Sequence, residues 1–289
     1  MKTSVLTLVR NRKTNLVNLM RGLQQSRVQP AELVIVHMNE APYEELPELS
    51  FPVKQVAIES KDPNDRTPLA HSRNTAARNA SHELLLFLDV DCIPHPDLVG
   101  EMERVQQSNP SLLMGDIRYL PEMSLGKWTY SDLDHYGEAH PARPQVGEGE
   151  VLPMENYTLF WSLCFSMYRR EFDRMGGFDE DYVGYGAEDT DFAFRARTHD
   201  IPFAIVGAKA YHQYHHVYRP PLHNFRSIVK NANTFQQKWD RWAMEKWLGE
   251  FVESGHVAWE EASKAPAQIL REPTEAEILA NRKTDGRGF

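Results

Sequence analysis

The sequence predicts an α/β fold in which a mostly parallel sheet is flanked by helices and followed by a C-terminal helical extension. Apolar runs of strand length alternate with amphipathic segments, and 41% of the 289 residues are hydrophobic, which is enough for a large core. Strands that alternate with helices favour parallel pairing. Ligands of such sheets bind beyond the carboxyl ends of the strands, so we expect the functional site there.

The first third of the chain contains the clearest alternation. Its strands are short runs rich in Val, Ile and Leu, whereas its helices carry apolar residues three and four positions apart. The predicted strands are 4–9, 33–36, 53–58 and 84–88, and the predicted helices are 15–26 and 70–81. Arg10, Asn39 and Asp89 each follow one of these strands, which places them at the expected ligand edge.

The middle of the chain is less regular. We predict a helix from just after Pro96 to about residue 107, an aromatic strand-like segment at 157–168, and further elements at 112–117 (strand), 188–198 (helix) and 202–206 (strand). Residues 121–153 are polar and irregular, and loops of that length are usually functional or disordered.

The last quarter of the chain has a different pattern. Apolar residues recur at helical intervals over 222–252, which predicts one or two amphipathic helices. Tryptophans at that spacing, at 239, 242 and 247, are expected to bury against the domain rather than to form a binding platform. Residues beyond Ser263 are charged and are expected to be a weakly ordered tail. We therefore divide the chain into a catalytic domain, 1–220, and a helical extension with a charged tail, 221–289.

Composition limits the classes of partner and compartment. A net charge of −9 argues against a nucleic-acid-binding surface. The two cysteines, Cys92 and Cys164, are interpreted as reduced thiols, which favours a cytoplasmic location. The apolar N-terminal stretch is too short for a signal segment, and no run approaches the ~20 apolar residues of a membrane span, so any membrane association would be peripheral. The oligomeric state is not indicated.

Two acidic segments are the candidates for chemistry. Asp89 and Asp91 end an apolar strand, where a pair of carboxylates can hold a divalent cation against the phosphates of a nucleotide. The same pair can equally begin a turn. Glu188, Asp189 and Asp191 follow the glycine-flanked run Gly184-Tyr-Gly-Ala, and acids at such a position also suit the first turn of a helix.

The run from Leu69 to Pro94, an Arg-Asn helix followed by a strand and Asp-x-Asp, resembles the donor-binding stretch of family 2 glycosyltransferases, which have the GT-A fold. The resemblance implies that Asp91 contacts a metal ion and that Asp89 orients the ribose or a metal-bound water. It also places Arg73 near the nucleotide. An exposed helix arginine is the structural alternative for Arg73, since Arg78 repeats the pattern.

The run Thr7-Leu-Val-Arg-Asn-Arg12 resembles the opening of the β-1,4-galactosyltransferases of family 7, which implies that Arg10 and Arg12 meet the nucleotide. We assign Asn39, at the next strand end, to the same nucleotide site. Guanidinium groups suit phosphate because they donate in a planar fork.

The run Gly184 to Asp191, after Gly176-Gly-Phe-Asp-Glu180, is similar to the family 7 segment Trp-Gly-Gly-Glu-Asp-Asp-Asp. This resemblance implies that Asp189 is the catalytic base with Glu188 beside it, and that Asp191 lies near the acceptor hydroxyls. Tyr185 replaces the family's tryptophan and Ala187 its second glycine. Tyr185 and Trp161, an aromatic residue shortly before the acidic segment, are the remaining acceptor candidates.

His212 follows the last predicted sheet strand within Ala-Tyr-His-Gln, a run that resembles bacterial chondroitin-polymerase-type transferases. The resemblance implies that His212 is the third metal ligand, after Asp91 and Asp89. Imidazole beside carboxylates favours Mn²⁺ over Mg²⁺. Since His215 and His216 are adjacent, an exposed histidine run is the alternative.

These features predict a metal-dependent GT-A glycosyltransferase that moves a sugar from a nucleotide-sugar, a UDP-sugar by resemblance, to an acceptor hydroxyl of a saccharide or small molecule. Asp189 would deprotonate that hydroxyl for a single inverting displacement. A retaining transferase of the N-acetylgalactosaminyl type and a non-catalytic sugar-nucleotide-binding protein remain alternatives. The residues do not specify the donor sugar or the acceptor.

Overall fold

The computed structural model describes residues 1–60, 67–123 and 127–283. Within these residues a ten-stranded mixed sheet forms the centre of the protein. Its strands are β1 Thr3–Val9, β2 Glu32–Met38, β3 Val53–Ile58, β4 Leu84–Leu88, β5 Cys92–Pro94, β6 Leu112–Tyr119, β7 Glu138–Ala139, β8 Val151–Met154, β9 Cys164–Tyr168 and β10 Phe203–His212.

Helices cover both faces of this sheet and form the C-terminal extension. They are α1 Lys13–Gln24, α2 Leu69–Asn79, α3 Leu98–Ser108, α4 Tyr130–Tyr136, α5 Arg169–Arg174, α6 Glu188–Thr198, α7 Phe225–Trp239, α8 Glu245–Glu253 and α9 Glu275–Ala280. Two small strand pairs complete the extension: β11 Val217–Tyr218 with β14 Arg282–Lys283, and β12 Val257–Ala258 with β13 Gln268–Ile269. No helix among the described residues is both long and apolar enough to cross a bilayer.

The main path through the sheet has the order β3-β2-β1-β4-β9-β6-β10-β5. The first four strands are parallel, and β6 and β10 are parallel to each other. Because β9 runs antiparallel to both β4 and β6, the strands β6 and β10 point in the same direction as β1 to β4. The predicted mostly parallel α/β sheet is confirmed, and the carboxyl ends of β1, β2, β4, β6 and β10 share one edge.

Two apolar layers hold the helices onto the sheet. One layer packs α1 and α3 on one face, and the other packs α2, α5 and α6 on the opposite face. In the second layer Phe178 and Phe192 stack with ring centroids 4.1 Å apart, and both contact Phe165 of β9. Each buried phenylalanine contributes about 1.5–3 kcal/mol. Because Phe192 is one turn from Glu188, this packing fixes the start of α6 against the sheet.

The segment 121–153 is more ordered than the sequence predicts. Thr129 and Asp132 form a reciprocal capping box at the start of α4, and β7 and β8 pair with the edges of β6 and β10. Elements this short carry no readable periodicity, and their partners are remote in sequence. Residues 124–126 of this segment lie outside the described residues.

The extension agrees with the prediction in its helices and departs from it in its tail. The predicted one or two helices are α7 and α8. The expected weakly ordered tail instead contains α9, which begins at a capping box between Thr274 and Glu277, and β14, which pairs with β11. Residues 284–289, the end of that predicted tail, lie outside the described residues.

Candidate active site

The shared edge of the sheet gathers chemistry-bearing residues from strands far apart in sequence. Asp89 follows β4, while Tyr119 and His212 are the last residues of β6 and β10. Trp161 precedes β9, which runs in the opposite direction and therefore begins at this edge. The sequence thus correctly placed Asp89 and His212 at strand ends.

A tight turn after β4 carries Asp91 to His212. The Cys92 N–H donates to the Asp89 carbonyl at 2.9 Å, and the Asp91 carbonyl accepts from the Gln213 N–H at 2.6 Å. The Gln213 side chain is fully buried and accepts from Asn18 Nδ2 at 2.9 Å. The end of β10 is therefore tied to the Asp-x-Asp turn by backbone as well as side-chain contacts.

Asp91, His212 and His215 form a cluster suited to a metal ion. His212 Nε2 lies 3.7 Å from Asp91 Oδ1, and His215 Nε2 lies 3.6 Å from Asp91 Oδ2. The three possible ligand atoms all lie within 4.8 Å of one another. His215 was not predicted as a ligand, although the spacing His-x-x-His directly after a strand is a signal that could have identified it.

The protonation states of this cluster fit a divalent cation. Burial lowers the pKa of His212 to about 4, so its imidazole is neutral near pH 7. Burial raises the pKa of Asp91, but His212, Arg12 and His215 outweigh it, so that the pKa is lowered and the carboxylate is ionised. Asp91 Oδ1 and His212 Nδ1 are buried without hydrogen-bond partners. A neutral imidazole and an ionised carboxylate are the forms that bind metal.

Asp89 lies beside this cluster and is half-buried. Its carboxylate faces Arg73 at 3.7 Å rather than the two histidines, and burial raises its pKa to about 7. Arg12 pairs with Asp91 Oδ2. The structure therefore brings Asp91 and His212 together as predicted, whereas it joins Asp89 to an arginine.

Arg73 of α2 connects the two acidic segments. Its side chain is 5% exposed and lies 3.3 Å from Glu188 Oε1 as well as 3.7 Å from Asp89. The guanidinium also lies over the Phe178 ring, with 5.1 Å between Cζ and the ring centroid. This burial rules out the alternative of an exposed helix arginine.

Glu188 and Asp189 are the first two residues of α6. Glu188 is buried and accepts from the Gly186 N–H at 3.0 Å, while burial, followed by the charge of Asp189, raises its pKa to about 6. Asp189 is half-buried, accepts from the Thr190 N–H at 2.7 Å, and also has a pKa raised by burial. Ala187, the substitution for the glycine of the resembled motif, has a φ of +68°, in the region that favours glycine.

The third acid, Asp191, is placed differently. It has no exposed surface, and its Oδ1 accepts from Trp239 Nε1 at 2.8 Å and lies 2.8 Å from Lys238 Nζ. Both partners belong to α7. A carboxylate with no accessible surface offers nothing to an acceptor hydroxyl, so the geometry gives Asp191 an anchoring role between α6 and the extension.

We expect Asp191→Ala to lower the free energy of unfolding by about 3 kcal/mol, because breaking a buried, hydrogen-bonded ion pair leaves its partners uncompensated. Urea unfolding monitored by circular dichroism measures this change. Asp173→Ala, at an exposed position of helix α5, is the control and should change stability by no more than about 0.5 kcal/mol. Equal stability of the two variants would contradict the anchoring role.

A family model described as glycosyltransferase like family 2 matches residues 4–233, which include every residue of the cluster and of the acidic segment. The chain belongs to that family. The family 2 resemblance predicted from 69–94 is therefore confirmed, while the family 7 character of the acidic segment stays a prediction.

Two curated relatives are named validoxylamine A glucosyltransferase, from Streptomyces hygroscopicus subsp. jinggangensis (strain 5008) and subsp. limoneus. Each is 26% identical to this family 2 chain over an alignment 207 positions long, which covers 59% of this chain. The match covers 44% and 41% of those proteins, so the chain spans less than half the length of the curated relatives.

Solved structures show the same fold. Residues 1–349 of S. aureus TarS superimpose with a TM-score of 0.52 at 16% identity, covering 82% of this chain and 66% of that one. GalNAc-T7, solved with UDP, GalNAc and Mn²⁺, gives a TM-score of 0.51 at 14% identity. The match covers 74% of this chain and 43% of that one. At these identities the likeness shows the GT-A fold alone.

Helix α7 supports the acidic segment of this family 2 chain. Asn231 is fully buried and donates from Nδ2 to the Gly186 carbonyl at 2.9 Å, with the Tyr185 carbonyl at 3.4 Å. Together with the contacts to Asp191, this hydrogen bond ties the extension to the loop that precedes Glu188. The domain boundary predicted at residue 220 therefore assigns α7 to the extension, although α7 contacts the loop before Glu188.

The other predicted residues include Arg10, Asn39 and Tyr185. Arg10 directly follows β1 and is half-buried. Asn39 has a φ of +54°, and its Oδ1 accepts from the Ser60 N–H at 2.5 Å, so it orders the chain after β3. Tyr185 is 42% exposed, and its ring centroid lies 5.7 Å from that of Trp247, which leaves an accessible aromatic surface.

Trp161 has a partner that the sequence did not reveal. The guanidinium of Arg143 lies over its ring with 3.4 Å between Cζ and the ring centroid, and His140 meets the indole edge-on at 4.8 Å. Arg143 belongs to the irregular segment 121–153, where neither motif nor periodicity distinguished it. The charge of Asp189 nevertheless acts to raise the pKa of Arg143.

Proposed function

We propose that this chain is a metal-dependent glycosyltransferase that moves a sugar from a UDP-sugar to an acceptor hydroxyl with inversion at the anomeric carbon. One observation carries the proposal: Arg73 lies 3.7 Å from Asp89 and 3.3 Å from Glu188, so the turn that carries the Asp91 cluster lies next to the start of α6 that carries Asp189. Membership of the glycosyltransferase-like family 2 supports a transferase, and the relatives named as glucosyltransferases agree with it.

The cluster side of the cleft is assigned to the donor. Asp91, His212 and His215 would hold a divalent cation, Mn²⁺ by the nitrogen and oxygen character of the ligands, with Mg²⁺ as the alternative. When bound, such a cation supplies the positive charge that a departing diphosphate needs. The presence of UDP and Mn²⁺ in the GalNAc-T7 structure supports this choice of donor and metal.

Charged and polar residues of neighbouring elements would position the nucleotide. Arg10 and Arg12 follow β1 and present guanidinium groups at the shared edge, where phosphate oxygens would accept from them. Asn39 follows β2 and would order the neighbouring chain segment at Ser60 by its hydrogen bond. Asp89, held by Arg73, is assigned to the ribose hydroxyls, which donate hydrogen bonds to an ionised carboxylate and accept one from a protonated carboxyl group.

The acidic side of the cleft is assigned to the acceptor. Asp189 retains solvent-accessible surface, and burial raises its pKa towards the range in which a carboxylate removes a proton effectively. It would take the proton from the attacking hydroxyl, with Glu188 buried behind it and Arg73 limiting the local negative charge. Tyr185 provides an exposed aromatic face for the acceptor sugar.

The proposed base predicts an acidic limb in the pH–rate profile. Activity requires Asp189 ionised, so kcat/KM should fall as pH drops through an apparent pKa above the ordinary Asp value of 3.8 and towards the value of about 6 for Glu188. Because the two carboxyls interact, the apparent pKa belongs to the pair. Rates from about pH 4 to 8 measure it. A rate that is level down to the ordinary Asp value would contradict the assignment.

A donor screen tests the proposal as a whole. We expect purified protein to hydrolyse at least one UDP-sugar slowly and only with Mn²⁺ or Mg²⁺, and to transfer that sugar once an acceptor is supplied. Product stereochemistry by NMR should show inversion. Retention would replace the single displacement with a retaining mechanism that has no dedicated base, and failure to bind or cleave any UDP-sugar would indicate a non-catalytic role.

A further inference from the structure

A chain of hydrogen-bonded side chains leads from the metal cluster towards the surface. Gln213, which directly follows His212, is fully buried, and Asn18 of α1 is 1% exposed. Asn18 Nδ2 donates to Gln213 Oε1 at 2.9 Å, and Asn18 Oδ1 accepts from Nε1 of the half-buried Trp128 at 3.1 Å. We call Trp128, Asn18 and Gln213 the amide relay. None of the three is assigned to the donor, the metal or the acceptor.

The groups at the two ends of the amide relay fix the direction of its hydrogen bonds. An indole N–H only donates, whereas a side-chain amide both donates and accepts. The oxygen of Asn18 must therefore face Trp128, which turns its NH₂ group towards Gln213. The Gln213 oxygen then faces Asn18, and its NH₂ group donates to the Asn15 carbonyl at 3.3 Å. A donor at one end and an acceptor at the other thus allow one orientation of both amides.

The amide relay ends on the backbone that carries two of the candidate metal ligands. The Gln213 N–H donates to the Asp91 carbonyl at 2.6 Å, which joins the turn after β4 to the end of β10. The pairing of β5 with β10 ends at Cys92 and His212, so this hydrogen bond lies just beyond the last pair. Gln213 therefore fixes the backbone of Asp91 relative to that of His212, whose side chains approach to 3.7 Å.

Helix α1 gives the amide relay a rigid support. Gly22 lies so close to β5 that a Cβ atom added to it would be 2.7 Å from Pro94 Cδ. At the other end of the helix, the N-cap residue Arg12 pairs with Asp91. Asn18 lies between these two contacts. The helix is therefore held against the metal cluster on both sides of Asn18.

We propose that Asn18 and Trp128 are positioning residues for the metal centre, because the amide relay holds Asp91 and His212 ready for a divalent cation. This inference rests on the metal site of the proposed function and extends it to α1 and to the segment 121–153. Residues that orient metal ligands commonly change metal affinity by about 10- to 100-fold. All four amide atoms of Asn18 and Gln213 are paired, and a fully paired buried network is rigid enough for this role.

Titration of the folded protein with Mn²⁺, followed by electron paramagnetic resonance, tests the proposal without sugar transfer. Trp128→Phe replaces the indole by a ring without a donor and should weaken Mn²⁺ binding about 3- to 10-fold, the usual value of one hydrogen bond. Asn18→Leu keeps the shape of the side chain but removes both hydrogen bonds, and should weaken it by about 10-fold or more. The double variant should bind Mn²⁺ as Asn18→Leu does, because the indole acts through Asn18.

Trp242→Phe is the matched control. The Trp242 indole also donates to an oxygen, the Ser263 carbonyl, at 3.0 Å, but it does so in the C-terminal extension. Its loss should leave the Mn²⁺ affinity equal to that of the wild type, even where stability falls. Circular dichroism shows which variants are folded at the temperature of the titration, and Trp128→Phe alone decides if Asn18→Leu does not fold.

Three results would overturn the inference. They are an unchanged Mn²⁺ affinity in the folded Trp128→Phe and Asn18→Leu variants, additive losses in the double variant, and an equal loss in Trp242→Phe. Each of them requires a wild type that binds Mn²⁺, so the metal site itself would stand. A wild type that does not bind Mn²⁺ would instead remove the metal site of the proposed function, and this inference with it.

Discussion

Asp189→Asn is expected to lower the rate of sugar transfer by about 10²- to 10⁴-fold, the contribution typical of a general base. The amide keeps the shape of the carboxylate and can still accept from the Thr190 N–H, so the start of α6 should remain folded. Initial rates with a donor and acceptor found by the screen measure the loss, and calorimetry with UDP measures donor binding, which should stay within about twofold.

The matched control is Asp181→Asn, a change of the same kind in the same acidic stretch at an exposed position. Its transfer rate should equal that of the wild type. If Asp189→Asn retained full turnover, or lost transfer only in proportion to lost UDP affinity, Asp189 would not be the base. Either result would make Glu188, which is buried beside Asp189, the next candidate for the base.

Asp91→Ala is expected to weaken Mn²⁺ binding by at least about 100-fold and to abolish metal-stimulated donor hydrolysis. The substitution removes the carboxylate of the cluster and leaves two imidazoles near Arg12, a cation that would then oppose the metal. Titration of Mn²⁺ followed by electron paramagnetic resonance measures the affinity directly. Chelation of the wild type should reproduce the loss of activity, and added Mn²⁺ should reverse it.

His215→Ala and His216→Ala make a matched pair for the same measurement. His215 faces Asp91, whereas the adjacent His216 is exposed and its Nδ1 contacts the Tyr214 hydroxyl at 3.2 Å. We expect the first variant to weaken Mn²⁺ binding and the second to leave it unchanged. Equal affinities for the wild type and both variants would place the metal elsewhere in the protein.

The fold could be predicted because its signals are local. The strands Val53–Ile58 and Leu84–Leu88 and the helix Glu188–Thr198 have the predicted bounds, since short apolar runs and helical spacing report directly on burial. The segment 157–168 was predicted as strand-like and contains β9, but the antiparallel direction of β9 and the small strands of the segment 121–153 could not be predicted in this way. Their pairing is decided by neighbours that are remote in the chain.

The same distinction between local signals and contacts remote in the chain applies to the site residues. Asp91, His212 and Asp189 were predicted because they lie in recognisable runs, and the structure brings Asp91 and His212 together. His215, which joins them, was missed because it was treated as part of a histidine run. Asp191 shows the opposite limit: its sequence context is that of an acceptor residue, but burial against Trp239 and Lys238 is a tertiary property.

Arg73 has a consequence for the order in which ligands bind. It is shared by Asp89 and Glu188, two carboxyls whose pKa values are raised to about 7 and about 6. Under the proposed assignment, a donor that engages Asp89 would free Arg73 to stabilise ionised Glu188, and by thermodynamic reciprocity the ionisation of Glu188 would strengthen donor binding at Asp89. Donor binding and the protonation of Glu188 would then be coupled, and binding of the donor first would favour the ionised carboxylate before the acceptor binds.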